Sequence, residues 1–392
     1  MKVAIVTDKL NLGRGGAERS VFDLACELRR QGSQVTVLAE SLAGMRLEES
    51  GIAFEQIPIA GRDKVARWQQ FCPKVAGFLG QSSFDIVHSV VPLAVADVYQ
   101  PRGGCLAWNV QRHCLSYEHP LCVRWKQLTS GWNRSRTVRI AAERSLCTTE
   151  KGPVIAALSD YVKEQFQHLY HMSDERVRVI RSGIAVDGFV GKESGESAAA
   201  IRRRLGCDES TCLFLFAAEN ARLKGLPWLC RSIAALPNDV LECCRFAFLS
   251  RRETNFVRRQ VHVLEPRASV YVGQAGGGEM SGWYGAADVI VLPSWHDACS
   301  RVVLEGLAAG KSAITTRFNG ASDFLDGGKY GFVLDSCGDT PALAELLGAM
   351  VDPDVRRRFR VAIRESDLAE QVSIGRHVEE LLGLYKDILD GR

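Results

Sequence analysis

Short apolar, β-branched runs alternate with amphipathic stretches along most of the chain. Val3 to Thr7 is the first run, and residues 8–16 after it are polar and glycine-rich. Ala17 to Gln31 then carries Val21, Phe22, Leu24, Ala25 and Leu28 at helical spacing, with Gly32 as its stop. Val35 to Leu38 reads as the next strand. This is a βαβ unit, and its right-handed crossover makes the two strands parallel neighbours. Further strands are predicted at Asp85–His88, Val154–Leu158 and Val177–Ile180, with helical patterns between several of them. Alternation of this kind predicts an α/β doubly wound layer structure.

From Ser182 to Ala200 the pattern lapses. Gly191-Lys192-Glu193-Ser194-Gly195-Glu196-Ser197 is polar and small, and reads as a linker. The alternation then restarts, with strands expected at Cys212–Ala217, Phe246–Leu249, Ser269–Val272, Val289–Leu292, Ala313–Thr316 and Phe332–Leu334. Helical patterns fill Thr340 to Asp390. The expected organisation is two Rossmann-like domains. They span residues 1–185 and 206–370, with a linker over 186–205 and a closing helical segment over 371–392. Ligands of open parallel sheets bind at the carboxyl ends of the strands, so both domains are expected to face a central cleft.

Composition narrows the class of function. The chain has 392 residues, 46% apolar and 24% charged, as ordinary globular proteins do. With 49 Lys and Arg against 46 Asp and Glu, the net charge of +3 builds no general field for nucleic acid. No apolar run reaches 18 residues. The first residues read as a strand rather than an export signal, and the 13 Cys have no framework spacing. Reduced thiols and a cytoplasmic location are therefore expected.

Three loops that follow predicted strands carry the candidate chemistry. The first is Gly13-Arg14-Gly15-Gly16-Ala17-Glu18-Arg19, where glycines and a helix N-terminus let an anion approach the backbone. The same pattern also serves a plain βα turn. It is not a dinucleotide fingerprint, because Glu18 stands where a third glycine is required. The second loop is Asn220-Ala221-Arg222-Leu223-Lys224-Gly225. Its two cations can reach a diphosphate, Arg222 bidentately and Lys224 as a point charge, and a solvated basic turn has the same look. The third follows Asp288-Val289-Ile290-Val291-Leu292. There Asp297 precedes a helix predicted to start near Ser300, and Glu305 lies in its second turn. The amides of Ser300, Arg301 and Val302 are expected to be open donors, and the two carboxylates can accept hydroxyls from different parts of one ligand.

The third loop resembles the E-x7-E signature of the family-4 retaining glycosyltransferases of the GT-B fold, with Asp297 in place of the first Glu. The resemblance extends over most of the chain. Gly15-Gly16-Ala17-Glu18-Arg19 is similar to the family's N-terminal glycine loop, and Leu158-Ser159-Asp160-Tyr161-Val162 to its strand-end Ser motif. Val179-Ile180-Arg181-Ser182-Gly183-Ile184 resembles the interdomain V-I-x-N-G-[IV] segment, with Ser182 where Asn is common. Arg222-Leu223-Lys224-Gly225 resembles a shortened R-x-x-K-G diphosphate loop, and Asn319-Gly320-Ala321-Ser322-Asp323 the loop after a later strand. Within the family, the likeness is greatest to lipopolysaccharide-core glucosyltransferases.

The resemblance implies a role for each matching position. Asp297 would hold hydroxyls of the donor sugar and Glu305 the ribose. Arg222 and Lys224 would neutralise the leaving diphosphate, with Gly15 and Gly16 facing it from the other domain. Asp97 resembles an acceptor-side Asp, and a helix or turn position explains it equally. The implied donor is a nucleotide diphosphate sugar, UDP-glucose by family likeness, and the acceptor a glycolipid or lipopolysaccharide-type glycan. No cofactor or metal is expected. The one D-x-D, Asp352-Pro353-Asp354, reads as a helix cap, and His113, Cys114, His119 and Cys122 lack zinc-site spacing. Between Cys122 and Arg144, Arg and Lys are interleaved with Trp125 and Trp132, with Glu143 the only acid. This suits an anionic membrane surface at the inner face, or an ordinary solvated helix. Two other classes stand beside this one. A non-catalytic nucleotide-sugar-binding protein would keep Glu305, Arg222 and Lys224. An NAD(P)-dependent oxidoreductase would use Glu40 near the end of the second strand, but lacks the glycines.

Overall fold

The computed structural model describes residues 1–11, 16–43, 51–190, 196–276 and 278–392. They form two compact units. The first comprises Met1–Cys114, Arg124–Gly183 and Ile374–Arg392, and the second Leu115–Val123 and Ile184–Ser373.

The first unit is built on a seven-stranded parallel sheet. Its strands are β1 (Lys2–Asn11), β2 (Gln34–Ala43), β3 (Ala53–Gln56), β4 (Ile86–Ser89), β5 (Val98–Tyr99), β6 (Val154–Ala157) and β7 (Val177–Val179). Their order, β3-β2-β1-β4-β5-β6-β7, reverses between β1 and β4, which makes the carboxyl ends of those two strands a topological switch point. Alternation along β1 feeds two cores. Val3 and Ile5 pack with Val21, Leu24 and Leu28 of the helix Gly16–Arg30 and with Val378, Leu381 and Tyr385 of the closing helix Ile374–Asp390. Ala4 and Val6 join Trp68, Phe71 and Val75 of the helix Lys64–Gly80.

A polar hub sits within this unit. Glu143 of the helix Arg134–Thr148 is fully buried. Its carboxylate accepts hydrogen bonds from Tyr99 Oη at 2.9 Å, the Leu106 amide at 2.9 Å, Tyr170 Oη at 3.2 Å and Cys105 Sγ at 3.3 Å. Burial pushes its pKa above the usual carboxylate range, and the four donors oppose that shift. The Cys105 thiol is pushed up to about 12 by burial and by the Glu143 charge.

The second unit holds a six-stranded parallel sheet: β8 (Cys212–Ala217), β9 (Cys244–Leu249), β10 (Val270–Gly273), β11 (Val289–Leu292), β12 (Ser312–Thr316) and β13 (Gly331–Leu334). The order is β10-β9-β8-β11-β12-β13, with its reversal between β8 and β11. Every residue of β8 and β11 is buried, so both read as continuous apolar runs, as parallel strands covered on both faces do.

Several details depart from the sequence reading. β1 does not stop at Thr7 but runs to Asn11, pairing Leu10 with Leu42 and burying it completely. β3 and β5 are additional strands. β3 is a mostly exposed edge strand without an apolar face, and β5 has two residues, so neither carries a pattern long enough to read. The stretch expected as a linker contains the turn Val186–Gly188 and the helix Glu196–Arg204, which buries Ala198 and Ile201. Gly191 to Gly195 lies outside the described residues. Leu115–Val123, expected in the first domain, belongs to the second unit.

Asp352 accepts the Asp354 amide at 2.8 Å and caps the helix Pro353–Arg364. Among the described residues no group of three His, Cys, Asp or Glu side chains is placed to hold a metal ion. None of their helices is long and apolar enough to cross a membrane.

Candidate active site

Three adjacent strands of the second unit, β8, β11 and β12, send their carboxyl-end loops to one place. The β8 loop carries Arg222 and Lys224. Asn220 shapes it, its Oδ1 accepting the Leu223 amide at 3.2 Å and its carbonyl accepting the Lys224 amide at 3.1 Å. Gly225 then opens the helix Leu226–Ala234 at φ 85°. A side chain there is excluded twice over: the φ is left-handed, and a Cβ would lie 2.1 Å from the Pro293 carbonyl oxygen. That close approach sets the β8 loop against the β11 loop, and the Trp295 amide donates to the Leu223 carbonyl at 2.9 Å.

The β11 loop is stitched in turn to the β12 loop. The Asp297 amide donates to Phe318 O at 2.9 Å, and the Gly320 amide donates to Asp297 O at 3.0 Å. Asn319 accepts the Ser300 amide at its Oδ1, 3.1 Å away, and donates through Nδ2 to Thr315 Oγ1 at 2.9 Å. The backbone around Asp297 is therefore fixed from both neighbouring strands before any ligand arrives.

Charged side chains meet on this frame. Lys224 Nζ lies 2.7 Å from Asp297 Oδ2 and donates to the His296 carbonyl at 2.9 Å. Both side chains are 18% exposed, so the pair is partly shielded yet reachable. Glu305, in the helix Arg301–Ala308, accepts Tyr284 Oη at 2.7 Å on one oxygen and Arg301 Nε at 3.3 Å on the other. Burial, reinforced by the Glu305 charge, holds the Tyr284 phenol far above its ordinary pKa, so it remains a donor to Glu305. Arg222 stands over the rings of Tyr117 and Phe256, at 4.8 and 4.7 Å from their centroids.

Arg222, Lys224, Asp297, Arg301 and Glu305 are thus carried by loops and a helix start at the carboxyl end of one sheet. Ser300 is a correction. Its residue is buried and its amide is taken by Asn319, so it is no open donor. The Val302 amide has no hydrogen-bond partner among the described residues. Asp97 is also corrected. It precedes β5 and lies beside Val87 near the start of β4, at the amino end of the sheet. There its carboxylate accepts the Val87 amide at 2.7 Å and pairs with Arg392, which makes it a support of the strand ends, opposite to where ligands bind. Gly15 lies outside the described residues, and Gly16 is the exposed first residue of its helix. Glu40, the acid an oxidoreductase would need, is ion-paired with Arg67. Tyr284, Asn319, Tyr117, Glu118 and Phe256 complete the site and were not foreseen. Asn319 lies in the segment read as a post-strand loop but was given no role there, the other four belong to no motif, and each meets its partner only in the folded unit.

Two family models match the chain, Glycosyltransferase Family 4 over residues 14–187 and Glycosyl transferases group 1 over residues 210–352. The D-inositol 3-phosphate glycosyltransferase of Xylanimonas cellulosilytica is 25% identical over 366 residues, covering 88% of this chain and 85% of that protein. Lipopolysaccharide glucosyltransferase WaaG of Escherichia coli is 22% identical over 322 residues, covering 82% of each chain. The crystal structure of WaaG, a glycosyltransferase involved in lipopolysaccharide biosynthesis, superposes with a TM-score of 0.79 at 20% identity, covering 98% of this chain and 99% of that one. Anabaena HepE in complex with UDP and glucose gives a TM-score of 0.72 at 15% identity, covering 99% and 100%.

Proposed function

Since this chain is a glycosyltransferase of the GT-B type, a member of the families whose models match its two halves, we propose that it transfers a hexose from a nucleotide diphosphate sugar, UDP-glucose, to a hydroxyl of a glycolipid or lipopolysaccharide-type acceptor. Transfer retains the anomeric configuration. The observation that carries this reading is the convergence of Arg222, Lys224, Asp297 and Glu305 at the carboxyl ends of β8 and β11. The complex of HepE with UDP and glucose supports the choice of donor, and WaaG the class of acceptor.

Each residue has a chemical task. Tyr284 and Arg301 orient the Glu305 carboxylate, which accepts the ribose hydroxyls. Asp297 accepts sugar hydroxyls once Lys224 turns toward the phosphates. Cleavage of the glycosyl–phosphate bond builds negative charge on the departing diphosphate, and Arg222 and Lys224 meet it in place of a metal ion. Interactions that strengthen as that charge develops raise the rate rather than the ground-state affinity. A thermal-shift screen of nucleotide sugars tests the donor, because a ligand of the native state raises Tm. UDP-glucose is expected to give the largest shift and slow hydrolysis without acceptor, and Glu305→Ala to lose both. A shift without turnover in the unaltered enzyme would point to a binding protein instead.

The basic stretch supports a peripheral place on the inner face of a membrane. Trp125, Leu128 and Trp132 are 59, 71 and 74% exposed, and the two indoles meet edge to face at 6.1 Å. Arg124, Arg134 and Arg144 are exposed too, whereas Glu143 is buried, so no acid offsets them on the surface of residues 124–144. Indoles beside cations suit an anionic interface. Replacing Trp125 and Trp132 together by Ala is expected to cut co-sedimentation with phosphatidylglycerol vesicles by about tenfold. Equal binding by the double variant would remove the membrane from the proposal.

A further inference from the structure

Glu118 is placed where a ligand phosphate would compete with it. Its Oε2 lies 3.9 Å from Arg222 Nη1, inside electrostatic range but beyond a hydrogen bond. Its directed bond goes elsewhere, accepting Arg231 Nη2 at Oε1 over 2.7 Å. Arg222 itself lies over two aromatic rings, one of them Tyr117 from the same segment as Glu118, and its side chain is 26% exposed. Among the described residues the Arg222 guanidinium makes no hydrogen bond, so its fork of N–H donors is oriented by packing and still open to an oxyanion. Lys224 differs, being engaged by both Asp297 and the His296 carbonyl. Tyr117 and Glu118 arrive on Leu115–Val123, the short stretch that belongs to the second unit although the chain on either side of it belongs to the first.

We propose that Glu118 is a resident competitor at the donor-phosphate site. It partly neutralises Arg222 when no donor is bound and gives way to the diphosphate of a nucleoside diphosphate, keeping its bond to Arg231. The proposal rests on reading Arg222 as a diphosphate ligand. The physical comparison favours displacement. A carboxylate at 3.9 Å offers Arg222 a screened charge and no directed bond, whereas a diphosphate offers more charge and paired oxygens that match the guanidinium fork. Glu118 would therefore weaken donor and product binding alike, and so favour release of the nucleoside diphosphate after transfer.

The test is calorimetric titration of the full chain with UDP, for the unaltered protein, Glu118→Gln, Arg222→Ala and the double variant. Glutamine keeps an acceptor oxygen for Arg231 and removes only the charge, and melting curves check that each variant is folded. Glu118→Gln is expected to bind UDP about three- to tenfold more tightly, the range of a partly exposed ion pair. Arg222→Ala is expected to bind more weakly, and the gain from Glu118→Gln is expected to vanish in the double variant. Unchanged or weaker binding by Glu118→Gln, with Arg222→Ala still impaired, overturns the role of Glu118 and leaves the donor site standing. A gain that persists in the double variant likewise overturns competition at Arg222. Full affinity in Arg222→Ala overturns the donor reading of Arg222 itself, and with it this inference.

Discussion

Replacing Lys224 by Ala is expected to lower kcat by about 10²–10³-fold, the loss seen when one preorganised donor to a developing anion is removed. The ammonium already sits at the site, 2.7 Å from Asp297 and 2.9 Å from the His296 carbonyl, so little reorganisation is needed to turn it toward the leaving diphosphate. Its attraction grows with the charge released by bond cleavage, so KM for the donor should change much less than kcat. Part of the loss would come from Asp297, left without its partner and repelling the phosphates. The pair of variants Lys224→Ala and Lys224→Ala/Asp297→Asn separates the two contributions, and the double variant is expected to regain only the part of the turnover lost to Asp297 repulsion. Steady-state kinetics with UDP-glucose measure both, and an unchanged kcat in Lys224→Ala would contradict the assigned role.

Glu143→Ala is expected to destabilise the fold by about 3–5 kcal/mol, because it strands buried donors that each cost on the order of 1–3 kcal/mol when unpaired. Tyr99, Cys105, Leu106 and Tyr170 all donate to this one carboxylate. Glu143→Gln should be far milder, since the Tyr99 hydroxyl can turn to accept from the new amide while the remaining oxygen keeps its donors. The pH dependence has a definite sign. Burial raises the folded-state pKa above the unfolded value, so this group's contribution to stability is complete below the ordinary carboxylate range and is lost as pH rises through the raised value. Chemical denaturation should therefore show the unaltered protein losing stability relative to Glu143→Gln as pH climbs out of the carboxylate range. A constant difference across that window would show that Glu143 does not titrate as placed.

Much of this fold is legible in the order of residues, for reasons that can be named. β8 and β11 are buried on both faces, so Cys212–Ala217 and Val289–Leu292 announce themselves as unbroken apolar runs. Arg222, Lys224, Asp297 and Glu305 are readable because each lies on a loop or first turns directly after such a strand, where parallel sheets bind ligands. What lies between loops is not readable. Tyr284 meets Glu305 across 21 positions and Asn319 meets Ser300 across 19, and both meetings depend on β8, β11 and β12 being neighbours. The misplacement of Asp97 has a similar origin. With a two-residue β5 hidden in Val95-Ala96-Asp97-Val98-Tyr99, the Asp reads as following β4, when it in fact immediately precedes the next strand, at the opposite end of the sheet.

A structure of the protein with UDP-glucose would show whether Arg222, Lys224, Asp297 and Glu305 hold one sugar nucleotide together. Diphosphate oxygens are expected within about 3 Å of both Arg222 and Lys224, with glucose hydroxyls on Asp297 and ribose hydroxyls on Glu305. A nucleotide seated away from the carboxyl ends of β8 and β11, with the Lys224–Asp297 pair undisturbed, would contradict that arrangement.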